Sequence, residues 1–343
     1  MSNRTEIATL GEFGLIEHLT KNIEIQQAST ILGVGDDAAV INHFGNNTVI
    51  TTDLLVEDIH FDLSYTPLMH LGYKAVVVNL SDVYAMNAQP TQITVSIALS
   101  NRISLEAITE IYDGIYAACE KYGVDLVGGD TTSSTKGLII SVTAIGEVKD
   151  NKLVKRSTAT KGDLICVSGY LGAAFLGLTL LEREKRIYLE NPGVQPDLEG
   201  EKYVVGRLLK PEARKDIIDF LETENILPTS MIDVSDGLSS ELLHICKQSN
   251  VGCILYEDKL PIHDEARQAA YKFKLDPTAC ALSGGEDYEL LFTLAQSDYD
   301  KLVLNEQISV IGYITDVADG AHIITKSNNR YPLTAQGWNA FEG

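Results

Sequence analysis

The sequence predicts a two-domain α/β protein. Its 343 residues exceed what one typical domain needs, and strand-like apolar runs alternate with helix-like periodicity in both halves. A polar, basic stretch at Lys149–Lys161 interrupts that alternation. With 45% hydrophobic and 22% charged residues, the chain can bury a sizeable core. We therefore predict an N-terminal domain over residues 1–148 and a C-terminal domain over residues 149–343.

The N-terminal half is predicted to alternate strands and helices. Its β-rich runs are Thr48–Thr52, Ile93–Leu99, Val124–Val127 and Leu138–Ile145. The clearest helix spans Leu105–Tyr122, where apolar residues recur every three or four positions. Ser104 can cap its start and Gly123 can end it. A second, largely apolar helix is predicted over Leu71–Ala85.

The C-terminal half is predicted to repeat this rhythm. The strands are Leu164–Ser168, Ile232–Val234, Cys253–Tyr256, Tyr288–Leu294 and Val310–Ile314, and the helices are Ala173–Arg183 and Leu238–Gln248. Between them, the Pro- and Gly-containing segment Glu190–Gly200 is typical of a loop.

Charge and cysteine content exclude several classes of protein. The formal net charge of −21 argues against binding to nucleic acid or to an anionic membrane, since both require clustered Lys and Arg. Five scattered cysteines without a C-x-x-C pair indicate neither a disulfide framework nor a structural zinc site. No run of eighteen apolar residues occurs and the segment Met1–Gly11 is polar, so we predict a cytoplasmic protein.

The most informative feature is a set of aspartates beside small residues or near the ends of strand-like runs. They occur in Gly35–Asp37, Thr51–Asp53, Asn79–Asp82, Gly128–Thr132 and Asp233–Gly237. Carboxylate and hydroxyl oxygens are the ligands that Mg²⁺ prefers. A protein this acidic would repel a nucleotide unless divalent cations lay between its carboxylates and the phosphates. The pattern therefore predicts several magnesium ions.

Each of these motifs also has a purely structural interpretation. Asp beside Gly is common in turns, and Asp236 can cap the helix that follows it. Asp82 differs, because an unpaired carboxylate buried in the apolar helix that contains it would be costly. The seven histidines form no metal-type cluster, so spacing alone favours surface or core positions for them.

The common nucleotide-binding loops do not occur in the sequence. There is no G-x-x-x-x-G-K-[ST] loop, no G-x-G-x-x-G after a strand and no protein-kinase catalytic loop. Gly169, Gly172 and Gly177 begin a predicted helix and could present backbone N–H groups to a phosphate, or they could permit close helix packing. Lys155 and Arg156 could contact a phosphate or remain solvated.

Taken in order, these motifs resemble the thiamine-monophosphate kinase family. That family is part of a superfamily with aminoimidazole ribonucleotide synthetase, selenophosphate synthetase and a hydrogenase-maturation protein. The match covers nearly the whole chain, at Gly11–Phe13, Gly33–Val40, Thr51–Phe61, Gly72–Pro90, Val127–Thr132, Ile232–Leu238, Gly284–Thr293 and Gly337–Trp338.

The resemblance implies a fold and an activity. The fold is the two-domain, aminoimidazole ribonucleotide synthetase-like α/β (α+β) fold, with an N-terminal domain that dimerises through its sheet. The activity is ATP-dependent, in-line phosphorylation of thiamine monophosphate to thiamine diphosphate, with Mg²⁺ as cofactor. By the same resemblance, residues 1–148 form the ATP- and Mg-binding and dimerisation domain. Residues 149–343 complete the nucleotide and substrate site.

The resemblance also assigns roles to individual residues. Positions matching magnesium ligands are Asp37, Thr51, Thr52, Asp53, Asp82, Asp130, Asp233 and Asp236. Positions matching ATP contacts are Tyr112, Gly129, Asp130, Arg156 and Ser235, and those matching contacts to thiamine phosphate are His60, Glu286 and Trp338. For this metal-assisted transfer no residue is predicted to act as a catalytic acid or base, because a phosphate oxygen that is already ionised at pH 7 needs no strong general base. The chain departs from the family pattern at Asp58, Asn87 and Thr158, where Gly is usual, and at Ala340, where His is common.

Rival assignments fit less well. The segments around Glu286 and Trp338 argue against aminoimidazole ribonucleotide synthetase, and a selenophosphate synthetase should carry a reactive Cys well before Cys119, the first Cys in this chain. A non-catalytic binding protein that kept the fold would be expected to lose the aspartates, all of which are present.

Overall fold

The computed structural model describes residues 18–32, 40–41, 47–302 and 305–335. It divides the chain into two compact units. The N-terminal unit comprises Met1–Val83 and Ala88–Asn151, and the C-terminal unit comprises Tyr84–Asn87 and Lys152–Gly343. None of the described helices is long and apolar enough to cross a membrane.

The first part of the chain folds around a four-stranded sheet. The elements are β1 (Thr30–Leu32), β2 (Val40–Ile41), β3 (Asn47–Val56), α1 (Leu68–Ala85), β4 (Gln89–Leu99), α2 (Leu105–Tyr122), β5 (Asp125–Ser133) and β6 (Ile139–Val148). The sheet has the order β3-β6-β4-β5, and its pairs are antiparallel except for the parallel pair β4–β5. Strands β1 and β2 form a separate antiparallel pair.

Helix α2 matches its prediction at both ends. The Ser104 hydroxyl accepts a hydrogen bond from the Ala107 backbone N–H, and Gly123 closes the helix in the left-handed conformation with φ of 69°. Helices α1 and α2 pack closely against each other at Gly72 and Gly114. A Cβ atom at Gly72 would lie 1.8 Å from the carbonyl oxygen of Ile111, so no side chain fits there.

The sheet of the N-terminal unit has one buried and one uncovered face. Burial alternates along β6, with Ile140, Val142 and Ala144 fully buried and the intervening residues partly exposed. On β3, Ile50 and Leu54 lie on the uncovered face, with 66% and 52% of their surface exposed. This sheet therefore leaves apolar side chains in contact with solvent.

The C-terminal unit contains a seven-stranded sheet and seven described α-helices. The strands are β7 (Leu164–Ser168), β8 (Ser230–Asp233), β9 (Val251–Tyr256), β10 (Leu290–Leu294), β11 (Ile308–Asp316), β12 (Ala321–Ile324) and β13 (Arg330–Pro332). The helices are α3 (Ala173–Glu190), α4 (Lys202–Leu209), α5 (Lys215–Thr223), α6 (Leu238–Ser249), α7 (Asp264–Lys272), α8 (Pro277–Ser283) and α9 (Tyr299–Leu302). The strand order is β13-β12-β9-β11-β7-β10-β8, antiparallel except for the parallel pair β9–β12.

One apolar core joins this sheet to its helices. Leu180 of α3, Ile245 of α6 and Ala269 of α7 pack in the same buried cluster as Val167 and Leu291 of the sheet. Burial of each large aliphatic side chain contributes about 1.5–3 kcal/mol to folding.

Several predicted element boundaries were wrong. Strands β3 and β4, for example, cover Asn47–Val56 and Gln89–Leu99 rather than Thr48–Thr52 and Ile93–Leu99. The strand predicted to end at Val127 continues to Ser133, because Gly129 permits the close backbone pairing of β5 with Val95 of β4. The strand predicted from Tyr288 begins at Leu290, because Tyr288 has a left-handed backbone with φ of 51°. Helix α3 extends to Glu190 rather than ending at Arg183.

Candidate functional site

Strand β3 and helix α1 bring three of the predicted site residues together. Thr51 Oγ1 donates a hydrogen bond of 2.7 Å to Asp82 Oδ2. Two residues further on β3, the backbone N–H of Asp53 donates to Asn79 Oδ1 at 2.9 Å. Asn79 is completely buried, and its amide donates to the carbonyl oxygen of Ala75 within α1. The buried amide therefore fixes where β3 meets the carboxylate of Asp82.

The carboxylates of Asp53 and Asp82 repel each other. Burial, and in addition the negative charge of Asp82, raise the pKa of Asp53 to about 6. Both effects favour the neutral form of Asp53. A divalent cation at this position would oppose both, since it stabilises ionised carboxylates. The oxygen donors of Thr51, Asp53 and Asp82 fit the preferences of Mg²⁺.

Two further predicted ligands lie on the other face of the same sheet. Because side chains alternate along a strand, Thr52 points away from the face that carries Thr51 and Asp53. Its hydroxyl donates to the carbonyl oxygen of Val142 at 3.0 Å. Asp130 of β5 is paired with Ser96 of β4, which places its exposed side chain on the same face as Thr52.

The N-terminal unit therefore groups Thr51, Asp53 and Asp82 but does not group Thr52 and Asp130 with them. Within the part of the chain that the structure describes, no three His, Cys, Asp or Glu side chains lie close enough together to hold a metal ion. Asp37 and Trp338 lie outside the described residues.

His60 lies in a tight turn after β3. Its Nδ1 atom accepts a hydrogen bond from the backbone N–H of Val56 at 3.0 Å, and its own backbone N–H donates to the carbonyl oxygen of Val56 at 2.9 Å. The neutral imidazole in this arrangement carries its proton on Nε2. The turn thus fixes both the orientation and the tautomer of the ring.

Two departures from the family pattern are explained by backbone conformation. Asp58 has φ of 68° and Asn87 has φ of 55°, in the left-handed region where Gly is most comfortable and where Asp and Asn are the best-tolerated replacements. The Asn87 side chain also donates to the carbonyl oxygen of Lys152 at 2.8 Å. Both positions keep the local geometry that a glycine would permit.

Tyr112 and Gly129 are closely packed. The Tyr112 side chain is buried, and burial raises its pKa to about 12. Its ring makes an edge contact with Tyr116, with the ring centres 6.0 Å apart. A Cβ atom at Gly129 would lie 1.8 Å from the carbonyl oxygen of Val95, so only glycine fits in this strand pairing.

In the C-terminal unit, three predicted residues lie at the end of β8 and in the loop after it, and they have an acidic partner in α6 that the sequence analysis missed. Asp233 is buried at the end of β8. Beyond it, the backbone N–H of Asp236 donates to Glu241 Oε1 at 2.8 Å, and Ser235 Oγ lies 3.5 Å from the same oxygen. Burial raises the pKa of Glu241 to about 7. An acidic residue in the first turn of the helix after Asp-Gly was the available signal for this role.

Glu286 lies against the same loop. Its backbone N–H donates to the carbonyl oxygen of Ser235 at 2.6 Å, and its backbone is left-handed with φ of 59°. A Cβ atom at Gly285 would lie 2.6 Å from that carbonyl oxygen. The pKa of Asp236 is raised, first by burial and also by the charge of Glu286. The structure therefore brings Ser235, Asp236 and Glu286 together.

Arg156 is exposed in the C-terminal unit, and its backbone is anchored. Its carbonyl oxygen accepts hydrogen bonds from Ser230 Oγ at 3.1 Å and from Ser249 Oγ at 3.0 Å. The Arg156 charge lowers the pKa of Glu241, which counteracts part of the effect of burial. The charge of Arg156 therefore acts on Glu241, whose carboxylate accepts the hydrogen bond from the Asp236 backbone N–H.

The glycines at the start of α3 allow close packing of the backbone against neighbouring elements. Asp287 Oδ2 accepts a hydrogen bond of 2.7 Å from the backbone N–H of Gly172, which already caps this helix end. A Cβ atom at Gly172 would lie 2.8 Å from the backbone nitrogen of Ala281, and one at Gly177 would lie 2.3 Å from the carbonyl oxygen of Val204. These contacts favour close packing over phosphate binding.

Comparisons with known proteins agree with these motifs. The family model described as AIR synthase related protein, N-terminal domain, matches residues 35–148. The thiamine-monophosphate kinase of Bacillus subtilis is 33% identical, over 97% of this chain and 100% of its own length.

Solved structures show the same similarity in three dimensions. Thiamine-monophosphate kinase from Stenotrophomonas maltophilia K279a is 34% identical, with a TM-score of 0.78 over 91% of this chain and 96% of its own. AaThiL complexed with AMPPCP and TMP is 30% identical, with a TM-score of 0.75 over 99% and 100% of the two chains. With this identity along almost its whole length, the chain belongs to the thiamine-monophosphate kinase family.

Proposed function

We propose that this protein is an ATP-dependent kinase that phosphorylates thiamine monophosphate to thiamine diphosphate and releases ADP, the last step in making that cofactor. The observation that carries the proposal is the end-to-end similarity to AaThiL, which was solved with both AMPPCP and TMP. The grouping of Thr51, Asp53 and Asp82 supports it, because phosphoryl transfer requires charge neutralisation around the phosphates.

In the proposed reaction, the acceptor is a phosphate oxygen of thiamine monophosphate. This oxygen is already ionised near neutral pH, so the transfer needs no strong general base. Positioning and electrostatic stabilisation supply the rate, because the loose transition state leaves little covalent work for side chains. No residue is therefore assigned as a catalytic acid or base.

Magnesium is the proposed cofactor. When bound, Mg²⁺ neutralises phosphate charge and orients the transferred group. The residues proposed to hold it are Asp37, Thr51, Thr52, Asp53, Asp82, Asp130, Asp233 and Asp236. Among those that the structure describes, Asp53 and Asp82 fit this role best, because their mutual repulsion is what a bound cation relieves.

The two units are proposed to divide ligand binding. The N-terminal unit supplies Tyr112, Gly129 and Asp130 for ATP and His60 for thiamine monophosphate. The C-terminal unit supplies Arg156 and Ser235 for ATP, and Glu286 and Trp338 for thiamine monophosphate. A cytoplasmic location is proposed together with this biosynthetic activity.

His60 is proposed to orient the acceptor rather than to transfer a proton. Its ring is fixed by Val56 with Nε2 carrying the proton, so it can donate a hydrogen bond to a phosphate oxygen. We expect His60→Asn to raise the KM for thiamine monophosphate while kcat changes little. Steady-state kinetics check this, and a collapse of kcat at unchanged KM would contradict it.

A homodimer formed through the uncovered face of the N-terminal sheet is also proposed. This face exposes Ile50 and Leu54, whose burial in a second copy would be favourable. We expect Ile50→Lys to shift the molar mass measured by light scattering from dimer to monomer. Leu189→Lys, at an equally exposed apolar residue of the C-terminal unit, is the control and should leave the mass unchanged.

The direct test of the function is product formation. Purified protein is incubated with ATP, Mg²⁺ and thiamine monophosphate, and thiamine diphosphate and ADP are quantified. Equal amounts of both products, abolished by EDTA and restored by excess Mg²⁺, are expected. ATP hydrolysis without thiamine diphosphate, or product from a substrate of another superfamily member only, would overturn the proposal.

A further inference from the structure

Two loops of the C-terminal unit are interlocked through their backbones. Val234 and Tyr288 are joined by a hydrogen bond of 2.8 Å from the N–H of Tyr288 to the carbonyl oxygen of Val234, and the N–H of Val234 donates to the carbonyl oxygen of Glu289 at 2.7 Å. One bond further along, Glu286 donates to Ser235. The position of the Glu286 backbone is thus tied to the loop that carries Ser235 and Asp236.

The Glu286 loop has an unusual backbone. Gly285, Glu286 and Tyr288 all have φ between 51° and 70°, and two of these three are not glycine. A left-handed backbone costs a non-glycine residue free energy, so it persists only where its surroundings hold it in place. The structure must therefore contain an anchor that keeps this loop in its conformation.

Asp287 provides that anchor. It is completely buried, and its carboxylate accepts hydrogen bonds from the backbone N–H groups of Gly172, at 2.7 Å, and Ala174, at 3.5 Å, at the N-terminus of α3. Its carbonyl oxygen accepts from Arg207 Nη2 at 2.8 Å. Side chain and main chain of one residue are thereby fixed to two different helices.

The partners of Asp287 are themselves fixed. Arg207 Nη2 also contacts Glu289 Oε1 at 2.9 Å, and Glu289 is paired with Arg214 and accepts from Ser168 Oγ at 2.6 Å. Buried charges satisfied in this way resist displacement, because breaking any one contact leaves another charge unpaired. The network therefore provides a rigid support for the loop.

We propose that Asp287 is a positioning residue for the acceptor substrate: it holds Glu286, and through Glu286 the Ser235–Asp236 loop, in the geometry needed to bind thiamine monophosphate, without touching the ligand itself. This inference rests on the proposed function and names a residue that acts through Glu286.

The test is a double-mutant cycle of Asp287→Asn and Glu286→Gln, measured in the full-length protein. Asp287→Asn alone should raise the KM for thiamine monophosphate about tenfold with a much smaller change in kcat, because it removes binding geometry and not the reacting groups. In the Glu286→Gln background, the same substitution should add less than about twofold. Effects on KM that multiply as if independent, or an unchanged KM in folded Asp287→Asn, would overturn the proposal.

Asp163→Asn is the matched control. Asp163 is also buried in this unit and accepts hydrogen bonds from Thr160 and Thr229, but it makes none of the contacts that hold Glu286. It should lower stability and leave the KM for thiamine monophosphate unchanged. If Asp287→Asn does not fold, Arg207→Lys replaces it, because this substitution removes the guanidinium that donates to the Asp287 carbonyl oxygen. Arg207→Lys is then combined with Glu286→Gln in the same double-mutant cycle, with the KM for thiamine monophosphate as the readout.

Hydrogen exchange separates failure of this inference from failure of the proposed function. The backbone N–H groups of Glu286 and Tyr288 should exchange at least about tenfold faster in Asp287→Asn than in the wild type, while the amides of β10 change less. Hydrogen exchange can be measured whether or not the protein is enzymatically active. Unchanged exchange would overturn the inference even in an active enzyme. An inactive wild type with faster exchange in the variant would overturn the proposed function and the substrate it names, and would leave the anchoring of the Glu286 loop by Asp287 in place.

Discussion

Two pairs of carboxylates interact electrostatically in poorly solvated surroundings: Asp53 and Asp82 in the N-terminal unit, and Asp287 and Glu289 in the C-terminal unit. Glu289 is bonded to two guanidinium groups, and Asp287 caps a helix. Burial and a neighbouring carboxylate raise the pKa of Asp53 to about 6 and that of Asp287 to about 7. The pairs differ in their partners, because Asp287 accepts hydrogen bonds from the backbone N–H groups of Gly172 and Ala174 and Glu289 has its two arginines. The comparison indicates that Asp287 and Glu289 stabilise the fold, whereas Asp53 and Asp82 are arranged to bind a cation.

The largest effect expected from this comparison is on turnover. Asp53→Asn and Asp130→Asn preserve shape but remove a charge and most of the metal affinity, so kcat should fall by orders of magnitude. Asp298→Asn, which removes a carboxylate paired with Lys301 outside every motif, should leave kcat nearly unchanged. Turnover at limiting Mg²⁺ checks this, and near-wild-type rates in both Asp53→Asn and Asp130→Asn would contradict the assignment of these carboxylates to metal binding.

The second effect is on stability and belongs to the other pair. Glu289→Gln leaves two arginines without their buried carboxylate, and we expect the free energy of unfolding to fall by about 3–5 kcal/mol. Urea denaturation measures this. Asp219→Asn removes an exposed i,i+4 partner of Lys215 and should cost only about 0.3–0.5 kcal/mol. Equal losses in the two variants would show that the buried network is not structural.

A smaller effect is expected at the turn that follows β3. Asp58 has φ of 68°, so Asp58→Gly relieves a strained backbone and should raise the free energy of unfolding by about 0.5–1 kcal/mol. The same substitution at Asp62, whose carboxylate accepts from the Ser64 N–H in an exposed turn, should not be stabilising. Urea denaturation of both variants distinguishes relief of strain from a general effect of glycine.

Local signals in the sequence predicted local structure well. Helix α2 was predicted to the residue, because Ser104 and Gly123 mark its ends with side-chain chemistry that acts over three or four positions. Helices α4, α5, α7 and α8 were not predicted, because seven to nine residues give too few turns for a periodic pattern.

In the candidate site, too, the sequence revealed local motifs but not contacts between distant residues. Asp53 and Asp82 could be singled out because each stands beside small or apolar residues in a conspicuous motif. Asp287 and Glu289 adjoin the predicted residue Glu286, yet their roles depend on Gly172 and Ser168, which lie more than a hundred positions away in the chain. Only the fold brings these residues together, so spacing in the sequence carries no trace of the contact.

The central claim is that Asp53 and Asp82 form a cation-binding site, whereas Glu289 stabilises the fold. The unfolding temperature with and without Mg²⁺ tests this claim directly. The wild type, Asp53→Asn and Glu289→Gln are melted in EDTA and in increasing Mg²⁺, without nucleotide. In EDTA, we expect Asp53→Asn to melt at or above the wild type at neutral pH, because the raised pKa means that its charge destabilises the folded state, and Glu289→Gln to melt well below it. Mg²⁺ should raise the unfolding temperature of the wild type and of Glu289→Gln, and should raise that of Asp53→Asn much less. A lower unfolding temperature of Asp53→Asn in EDTA, together with an undiminished response to Mg²⁺, would contradict the account.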